Sequence, residues 1–197
     1  FSYALEKDYG EARANSPFNP HSWAYLEGGK DYQKDWTRGI ERLIDELPRD
    51  PLNFELTTTT IFQDEAERIQ KELNSFGQEA IRVCRESADV EDKELCDNLG
   101  INWRIKISNF PDTNNFQLLL MGQSIPTDPD QYFMWHSTQA TNFTRYKNTR
   151  IDSLLERGRQ TIDTEERKSI YQEFQQFLLE DPPAVFLRYL ERFSIAR

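Results

Sequence analysis

The side chains best able to hold a ligand are concentrated in one ten-residue stretch, DPDQYFMWHS, at positions 128–137. Its two carboxylates, Asp128 and Asp130, suit a metal ion or the ammonium group of a ligand. Its rings, above all those of Trp135 and His136, suit stacking on a sugar or on a peptide side chain. The carboxylates have an alternative role in starting a helix, because aspartate accepts hydrogen bonds from a helix N-terminus and Pro129 suits the first turn. That structural role is favoured for Asp130, and neither role is favoured for Asp128.

The same stretch lacks the marks of an active site. The chain has only two histidines, His21 and His136, and neither stands in a zinc-binding HExxH spacing. There is also no glycine-rich phosphate loop and no GxSxG nucleophile elbow. His136 and Ser137 are neighbours in sequence, but a nucleophile and its base require a defined geometry and a third orienting group. We therefore predict no enzyme, no metal site and no cofactor, with a small α/β hydrolase that uses Asp128, His136 and Ser137 as the alternative.

The charge balance restricts the partners of the chain. Its 34 acidic and 24 basic residues give a formal net charge of −10. This disfavours nucleic acids and anionic membrane surfaces, because both attract proteins through a basic patch. No apolar run approaches the ~20 residues that a membrane-spanning helix requires. The first residues carry no signal-peptide pattern, so the chain is expected to be either cytosolic or a mature or truncated part of an exported protein.

Two cysteines, Cys84 and Cys96, stand twelve positions apart. They are compatible with a disulfide in an oxidising compartment. The simpler interpretation is two unpaired, partly buried thiols. Sequence leaves both possibilities open, since the geometry of the two Cβ atoms decides between them.

Apolar residues repeat at helical spacing in four segments. They predict helices over Tyr32–Leu47 and Gln63–Glu86, a helix that begins after Asn148, and a helix that begins after Asp163 with Glu166 in a capping-box-like position. Shorter helical pieces are predicted at Ser2–Lys7 and Glu91–Asn98. Gly77 is a candidate interruption of the second long helix.

Strands are predicted where apolar residues alternate with polar ones or form short continuous runs. These segments are Leu52–Thr60, Ile101–Ile107, Phe116–Met121 and Ala184–Leu190. The third is apolar throughout, which is typical of a strand covered on both faces. The mixture of strands and helices predicts a layered α/β domain in which helices flank a sheet. At 197 residues the chain suits one domain or one large lobe.

Several segments together resemble the family 5 extracellular solute-binding proteins, which serve ABC importers of peptides, oligopeptides, nickel and some oligosaccharides. The similarity lies in DPDQY and WHS of the 128–137 stretch, in the 142–148 segment NFTRYKN, in the 151–155 segment IDSLL, in the 163–171 helix, and in residues 183–189. Upstream, LTTT at 56–59 followed by the 63–73 helix is similar to the beginning of that family's C-terminal lobe, and residues 1–8 are similar to another of its helices.

The resemblance implies a two-lobed, periplasmic-binding-protein-like fold with a mixed sheet flanked by helices. Full-length family members are much longer than this chain, so it would represent mostly the C-terminal lobe. On this basis residues 1–31 are expected to connect from the missing N-terminal lobe. Residues 32–190 are expected to form the solute-binding lobe, and residues 191–197 a strand that returns to the missing lobe.

The resemblance also implies a solute site after the apolar Phe116–Met121 segment. Peptide-binding members commonly carry a tryptophan after the glycine that ends this segment, and then an aspartate for the peptide ammonium group. Here Gly122 is followed by Gln123, and no acidic residue precedes Asp128. The expected ligand-binding residues are Gln123, Ser124, Asp128, Trp135, His136, Asn142 and Tyr146. We expect Trp135 and His136 to face an open concave surface.

The implied partners are a solute, an ABC permease and the missing N-terminal lobe. Peptides or oligopeptides are the expected solutes, and oligosaccharides are the alternative within the same family. The implied location is periplasmic or extracellular, with a lipid anchor that holds the full-length protein at the membrane. Neither a nucleic acid nor a cofactor is implied.

Overall fold

The structure is a computed structural model that describes residues 4–5, 9–87 and 93–190. The chain folds into two compact units, each assembled from two separate parts of the sequence. Unit 1 comprises residues 1–6 and 33–122, and unit 2 comprises residues 7–32 and 123–197. This division differs from the predicted connecting segment, lobe and returning strand, whose functional boundaries remain predictions. The strand expected at 191–197 and most of the helix expected at Ser2–Lys7 lie outside the described residues.

Unit 1 contains a three-stranded sheet in which every described strand pairing is parallel. Its strands are β1 (Leu52–Thr58), β2 (Ile101–Ile107) and β3 (Leu118–Leu119), in the order β2-β1-β3. The predicted strands at 52 and 101 are therefore confirmed. Their alternating residues pair in register along their whole length, from Leu52 opposite Ile101 to Thr58 opposite Ile107.

The described residues of unit 1 include two α-helices. Helix α1 (Trp36–Asp45) begins after Asp35, whose carboxylate accepts a hydrogen bond from the backbone N–H of Arg38 at 3.0 Å. It is shorter than the predicted Tyr32–Leu47 because this cap lies inside that range. Helix α2 (Gln63–Glu86) has the predicted bounds. Gly77 does not interrupt α2. The absence of a side chain at this position lets the backbone of Leu99 pack closely, since a Cβ atom there would lie 3.0 Å from the Leu99 carbonyl oxygen.

Cys84 and Cys96 form a disulfide, which corrects the simpler interpretation of two unpaired thiols. Cys84 lies near the end of α2 and Cys96 lies in a 3₁₀ segment, Lys93–Leu99, which replaces the predicted short helix at 91–98. Both cysteine side chains are completely buried. Their Cα atoms are 5.7 Å apart, a separation that a disulfide spans without backbone distortion. The bridge joins α2 to the segment that leads into β2.

Two predicted strands are much reduced. Only two residues of the Phe116–Met121 segment form a strand, and its side chains are half-buried or exposed instead of covered on both faces. The physical reason is that β3 pairs with β1 along a single short edge. Ala184–Leu190 forms no regular strand. It makes one isolated antiparallel bridge, between Arg13 and Arg188 in unit 2.

Unit 2 is built around three helices, α3 (Tyr132–Trp135), α4 (Thr149–Gln160) and α5 (Thr164–Glu180). The predicted caps are confirmed: Asn148 accepts hydrogen bonds from two backbone N–H groups of α4, and Asp163 accepts one from Glu166. The buried core consists mainly of apolar residues from α4 and α5. Its members are Phe18, Ala24, Trp135, Ile151, Leu154, Leu155, Ile170, Tyr171, Phe174 and Leu178.

Replacing Gly158 with alanine is expected to destabilise unit 2 by about 1–3 kcal/mol. A Cβ atom at position 158 would lie 2.8 Å from two ring carbons of Tyr171, a side chain that is completely buried. The usual helix-stabilising effect of replacing glycine by alanine, at most about 1 kcal/mol, is too small to offset this overlap. Urea denaturation measures the change. Ser153→Ala, at an exposed position of the same helix, is the control, and an equal response of both variants would contradict the prediction.

Candidate functional site

Asp128 and Arg167 form a two-pronged ion pair within unit 2. The two terminal guanidinium nitrogens of Arg167 lie 2.9 and 2.8 Å from the two carboxylate oxygens of Asp128. Arg167 also donates hydrogen bonds to the carbonyl oxygen of Gly158 through Nε at 2.8 Å and to the hydroxyl of Tyr171 at 3.2 Å. Asp128 also accepts a hydrogen bond from the backbone N–H of Asp130 at 2.9 Å. Arg167 thus holds the start of the 128–137 stretch to α4 and α5.

The Arg167 guanidinium holds the pKa of the Asp128 carboxyl below its ordinary value of 3.8. A lowered pKa in the folded state stabilises the protein above the ordinary pKa, and that contribution disappears as the pH falls through the folded-state pKa. Because the Asp128 side chain is 57% exposed, we expect Asp128→Asn to cost about 1 kcal/mol or less at pH 6. The cost should shrink as the pH falls from 6 through the lowered pKa of Asp128. Urea denaturation of both proteins at pH 6 and at a series of lower pH values measures it, and a cost that stays constant over the series would contradict the ion-pair origin.

Asp130 starts helix α3, as its favoured structural role predicted. Its carboxylate accepts a hydrogen bond from the backbone N–H of Tyr132 at 2.9 Å and pairs with Nε of Arg159 at 3.1 Å. The Arg159 guanidinium lies over the rings of Tyr132 and Phe133, 4.5 and 5.1 Å from their centroids. Both carboxylates of the stretch are therefore paired with an arginine from α4 or α5.

These two ion pairs border a surface cleft of about 340 Å³ within unit 2. Its lining is Pro126, Asp128, Asp130, Phe133, Arg159 and Arg167. The charges in the lining are two carboxylates and two guanidinium groups, so each cationic group is already paired with an anionic one. A metal ion or a ligand ammonium group would have to displace an arginine to bind either aspartate.

Trp135 and His136 do not face an open concave surface, which corrects the expectation for both residues. Each is only 4% exposed. Trp135 belongs to the apolar core, where its ring contacts that of Phe186 at 6.1 Å in an edge-on arrangement. The His136 ring stacks on Tyr132 at 4.3 Å. The physical reason is that α3 is a single turn whose apolar side packs inward against its own unit.

Both ring nitrogens of His136 have hydrogen-bond partners. Its Nδ1 lies 3.3 Å from the backbone nitrogen of Thr138 and 2.9 Å from the hydroxyl of the same residue. Its Nε2 lies 3.2 Å from a carboxylate oxygen of Glu156. His136 thus connects the end of α3 to α4.

Ser137 and His136 do not form a nucleophile and base. The Ser137 hydroxyl donates to Asp152 at 2.5 Å, and its backbone N–H donates to the same carboxylate at 2.8 Å. Both ring nitrogens of His136 have other partners, and Asp128 is paired with Arg167. The arrangement that the hydrolase alternative required is therefore absent from these three residues.

Asn142 organises the loop that precedes α4. Its buried Nδ2 donates to the carbonyl of Tyr146 at 2.9 Å and, more weakly, to those of Trp135 and His136 at 3.4 Å. Its Oδ1 accepts from the hydroxyl of Thr144 at 2.8 Å. The Tyr146 hydroxyl is engaged by Asn148 at 3.1 Å. Asn142 and Tyr146 thus satisfy the polar groups of their own loop.

Gln123 and Ser124 lie near the surface of unit 2. Ser124 is exposed and Gln123 is half-buried. Among the described residues, the buried Nε2 atom of Gln123 has no hydrogen-bond partner. Of the seven predicted site residues, Ser124 and Asp128 are exposed, Gln123 and Tyr146 are half-buried, and Trp135, His136 and Asn142 are buried. Their role in ligand binding remains a prediction.

Sequence reasoning missed the arginines that organise this region. Arg159 and Arg167 were given no role in the sequence analysis, yet each reaches an aspartate of the 128–137 stretch. One feature of the sequence indicated that such partners exist: Asp128 and Asp130 have no lysine or arginine beside them in the 128–137 stretch. Gln131 was missed as well. It is 1% exposed, and both polar atoms of its side chain lack a hydrogen-bond partner within the described part of the chain.

Residues 4–5, 9–87 and 93–190 contain neither a metal-binding cluster nor a membrane-spanning helix. No group of three or more histidine, cysteine, aspartate or glutamate side chains in these ranges is arranged to hold a metal ion. No helix in the same ranges has both the length and the apolar character needed to cross a membrane.

Comparison with known proteins finds similarity to solute-binding proteins, although no family model matches the sequence. The oligopeptide-binding protein AppA of Bacillus subtilis is 30% identical over 116 residues, which is 53% of this chain and 21% of AppA. This chain therefore spans only part of the length of that relative.

Solved structures of the same class share the fold. NikZ of Campylobacter jejuni, in complex with Ni(L-His), matches 96% of this chain and 40% of its own with a TM-score of 0.74 and 23% identity. AppA of Bacillus subtilis, in complex with a nonapeptide, matches 95% of this chain and 40% of its own with a TM-score of 0.67 and 22% identity. DppA of Helicobacter pylori, in complex with the peptide STSA, covers 90% of this chain and 33% of its own at a TM-score of 0.69 and 20% identity.

These similar proteins are named as binding proteins for peptides, or are solved with a peptide or a nickel complex. The predicted α/β fold is confirmed by the three solved structures, of which this chain matches 33–40%. The chain is thus similar in sequence to part of an oligopeptide-binding protein and has the fold of one lobe of solute-binding proteins such as NikZ and AppA.

Proposed function

We propose that this chain is one lobe of a solute-binding protein that captures peptides or oligopeptides for an ABC importer. The observation that carries the proposal is the 30% identity with the oligopeptide-binding protein AppA over 116 residues. Sequence similarity carries more weight here than the shared fold, because one fold serves many functions. In this proposal solute binds between this lobe and a second one, and closure of the two lobes encloses it.

The disulfide and the relatives support an extracytoplasmic location. A buried disulfide persists in an oxidising compartment and is rare in the cytosol. Cys84 and Cys96 are bridged, and DppA of Helicobacter pylori, one of the similar structures, is a periplasmic binding protein. We therefore place the proposed protein outside the cytoplasm, with an ABC permease as its partner and a lipid anchor as its attachment.

The seven candidate ligand residues divide into two groups by their contacts. Ser124 and Asp128 are exposed and Gln123 is half-buried, so these three are proposed to contact solute directly. Trp135, His136, Asn142 and Tyr146 are proposed to act through the shape of the 128–148 region, since their polar atoms mostly bind within it. Because Asp128 is paired with Arg167, capture of a peptide ammonium group at that carboxylate requires the ion pair to open.

Saturation-transfer NMR tests the proposed solute class. The chain is mixed with a pool of soluble peptides of two to nine residues, and separately with maltotriose, cellotriose and a nickel–histidine complex. We expect saturation transfer to peptides and none to the two sugars. Transfer to sugars alone would favour the oligosaccharide alternative, which none of the relatives described above supports. Nickel-dependent line broadening without peptide transfer would favour the function of NikZ.

A further inference from the structure

Gln131 carries a side-chain amide that is buried inside unit 2. The residue is 1% exposed, and neither Oε1 nor Nε2 of its amide has a hydrogen-bond partner among the described residues. Gln131 directly precedes α3, and its backbone carbonyl accepts hydrogen bonds from the N–H groups of Met134 and Trp135, both at 3.1 Å. The backbone carbonyl of Gln131 is therefore engaged in the helical turn, whereas its side-chain amide is not.

The indole of Trp135 carries a second buried polar group of this kind. Trp135 is 4% exposed, and its Nε1 has no hydrogen-bond partner in the described part of the chain. The indole of Trp36 differs, because its Nε1 donates to the carbonyl oxygen of Ala4 at 3.0 Å. Buried polar groups are hydrogen-bonded in the large majority of cases, since a buried group without a partner destabilises the folded state.

Gln131 and Trp135 lie side by side on one helical turn. They are four positions apart, and the hydrogen bond from the Trp135 N–H to the Gln131 carbonyl closes the turn between them. Side chains at this spacing lie on the same side of a helix. Together they bring two donors, the indole N–H and the amide NH₂, and one acceptor, the amide oxygen, to one place in the interior of unit 2.

These three groups fit a small, uncharged molecule that both donates and accepts hydrogen bonds. A charged ligand would be desolvated without an opposite charge, because the two nearest carboxylates in sequence, those of Asp128 and Asp130, are paired with Arg167 and Arg159. A buried water molecule typically makes about three hydrogen bonds to groups that lack other partners. Water can accept from the indole and from the amide NH₂ and can donate to the amide oxygen.

We propose that Gln131 and Trp135 form an internal binding site for a water molecule, which bridges the two side chains. The site lies on the buried side of the α3 turn, whereas Asp130 and the exposed Phe133 line the surface cleft. The bridging water thus holds the buried side of this turn in place. The inference is independent of the proposed function, because it concerns the interior of unit 2 and no solute.

Water–protein NOE spectra of the isotope-labelled chain test the site directly. We expect cross-peaks from water to the indole N–H of Trp135 and to the side-chain amide of Gln131, with the sign that a long-lived bound water produces. The indole of Trp36, which donates to Ala4, is the internal control and is expected to give no such cross-peak. The indole of Trp23, which is 38% exposed, reports the short-lived contacts of bulk water.

Gln131→Met removes the polar atoms of the amide and keeps the length of the side chain. The water cross-peak at Trp135 is expected to disappear. Because the indole N–H then loses its partner, the equilibrium constant for unfolding, measured in urea, should rise by a factor of about five or more. Gln176→Met, at an exposed position of α5, is the matched control and should change this constant by less than about twofold.

Trp135→Phe provides the second arm of the test. This variant has no indole N–H, so Gln131→Met leaves no donor unpaired when it is made in the Trp135→Phe chain. The increase in the unfolding constant caused by Gln131→Met should therefore be about threefold smaller in that chain than in the unaltered one. An unchanged amide spectrum outside residues 128–148 confirms that the variants keep the fold.

Three results would overturn the inference. A Gln131→Met chain more stable than the unaltered one would show that the amide has no partner of any kind. Absence of a long-lived water cross-peak at Trp135 would show that water does not occupy the site. An equal effect of Gln131→Met in both chains would show that the two side chains share no ligand. None of these results bears on solute capture, which the saturation-transfer experiment tests separately.

Discussion

Replacing Phe174 with alanine is expected to lower the free energy of unfolding by about 3–5 kcal/mol. Phe174 lies in α5 and is completely buried in the core of unit 2. Its ring lies 6.0 Å from that of Phe18, a residue distant in sequence from α5. Removing the ring therefore leaves a cavity between α5 and the N-terminal part of unit 2. The residues on both sides of this cavity lose packing contacts. Urea denaturation followed by circular dichroism measures the loss.

Two variants control for other effects of substitution at this position. Phe174→Leu keeps most of the apolar volume and is expected to cost clearly less than the alanine variant. Gln176→Ala, at an exposed position of the same helix, is expected to change the free energy of unfolding by less than about 0.5 kcal/mol. A Phe174→Ala variant as stable as the Gln176→Ala variant would contradict the packing described for unit 2.

Loss of the Cys84–Cys96 disulfide is expected to destabilise the chain by about 3 kcal/mol. The bridge closes a loop between residues that are twelve positions apart. Closing this loop lowers the conformational entropy of the unfolded chain, which stabilises the folded state relative to it. It also holds the 3₁₀ segment at Lys93–Leu99 against the end of α2. The double variant Cys84→Ala with Cys96→Ala removes the bond without burying new hydroxyl groups. Its free energy of unfolding is to be compared with that of the oxidised chain.

Chemical reduction provides the matched control for the disulfide. The unaltered chain in dithiothreitol is expected to approach the stability of the double alanine variant, whereas that variant should not respond to dithiothreitol. Free-thiol titration of the unfolded, unreduced chain should find no thiol from these two residues. Two reactive thiols per chain, or equal stability of the oxidised chain and the double variant, would contradict the bridge.

Local patterns predicted the regular elements well where the deciding interactions are local. The bounds of α2 follow from apolar residues that recur every three or four positions. The starts of α4 and α5 follow from Asn148 and Asp163, whose side chains bind backbone N–H groups within the next three residues. Alternation predicted β1 and β2, which pair with each other along seven residues.

Elements that depend on distant partners were predicted less well. The apolar run at Phe116–Met121 indicated a fully covered strand, but coverage depends on neighbours that the run itself does not encode, and only Leu118–Leu119 pair with β1. The Ala184–Leu190 segment has strand-like composition, yet its described backbone partners near residues 12–14 provide only a short antiparallel contact. Apolar composition is therefore a weaker predictor of a strand than alternation is.

The candidate site shows the same limit. The sequence predicted that the 128–137 stretch holds the side chains best able to bind a ligand, and that role remains a prediction. It did not show that Asp128 is paired with Arg167, 39 positions away, or that Trp135 and His136 are buried. Side-chain direction on a one-turn helix depends on packing within unit 2, which residue types alone do not reveal.

The central claim is that this chain supplies one half of a peptide-binding clamp. Its most direct test is the dissociation constant of the chain alone for a soluble apolar peptide such as Ala-Leu-Ala-Leu, obtained from amide NMR shifts. Half of a pocket buries only part of the solute, so we expect fast exchange and a Kd of roughly 1 mM or weaker, near −4 kcal/mol. A micromolar Kd would show that the chain holds a complete site. No shift at saturating peptide would show that it holds no solute site at all.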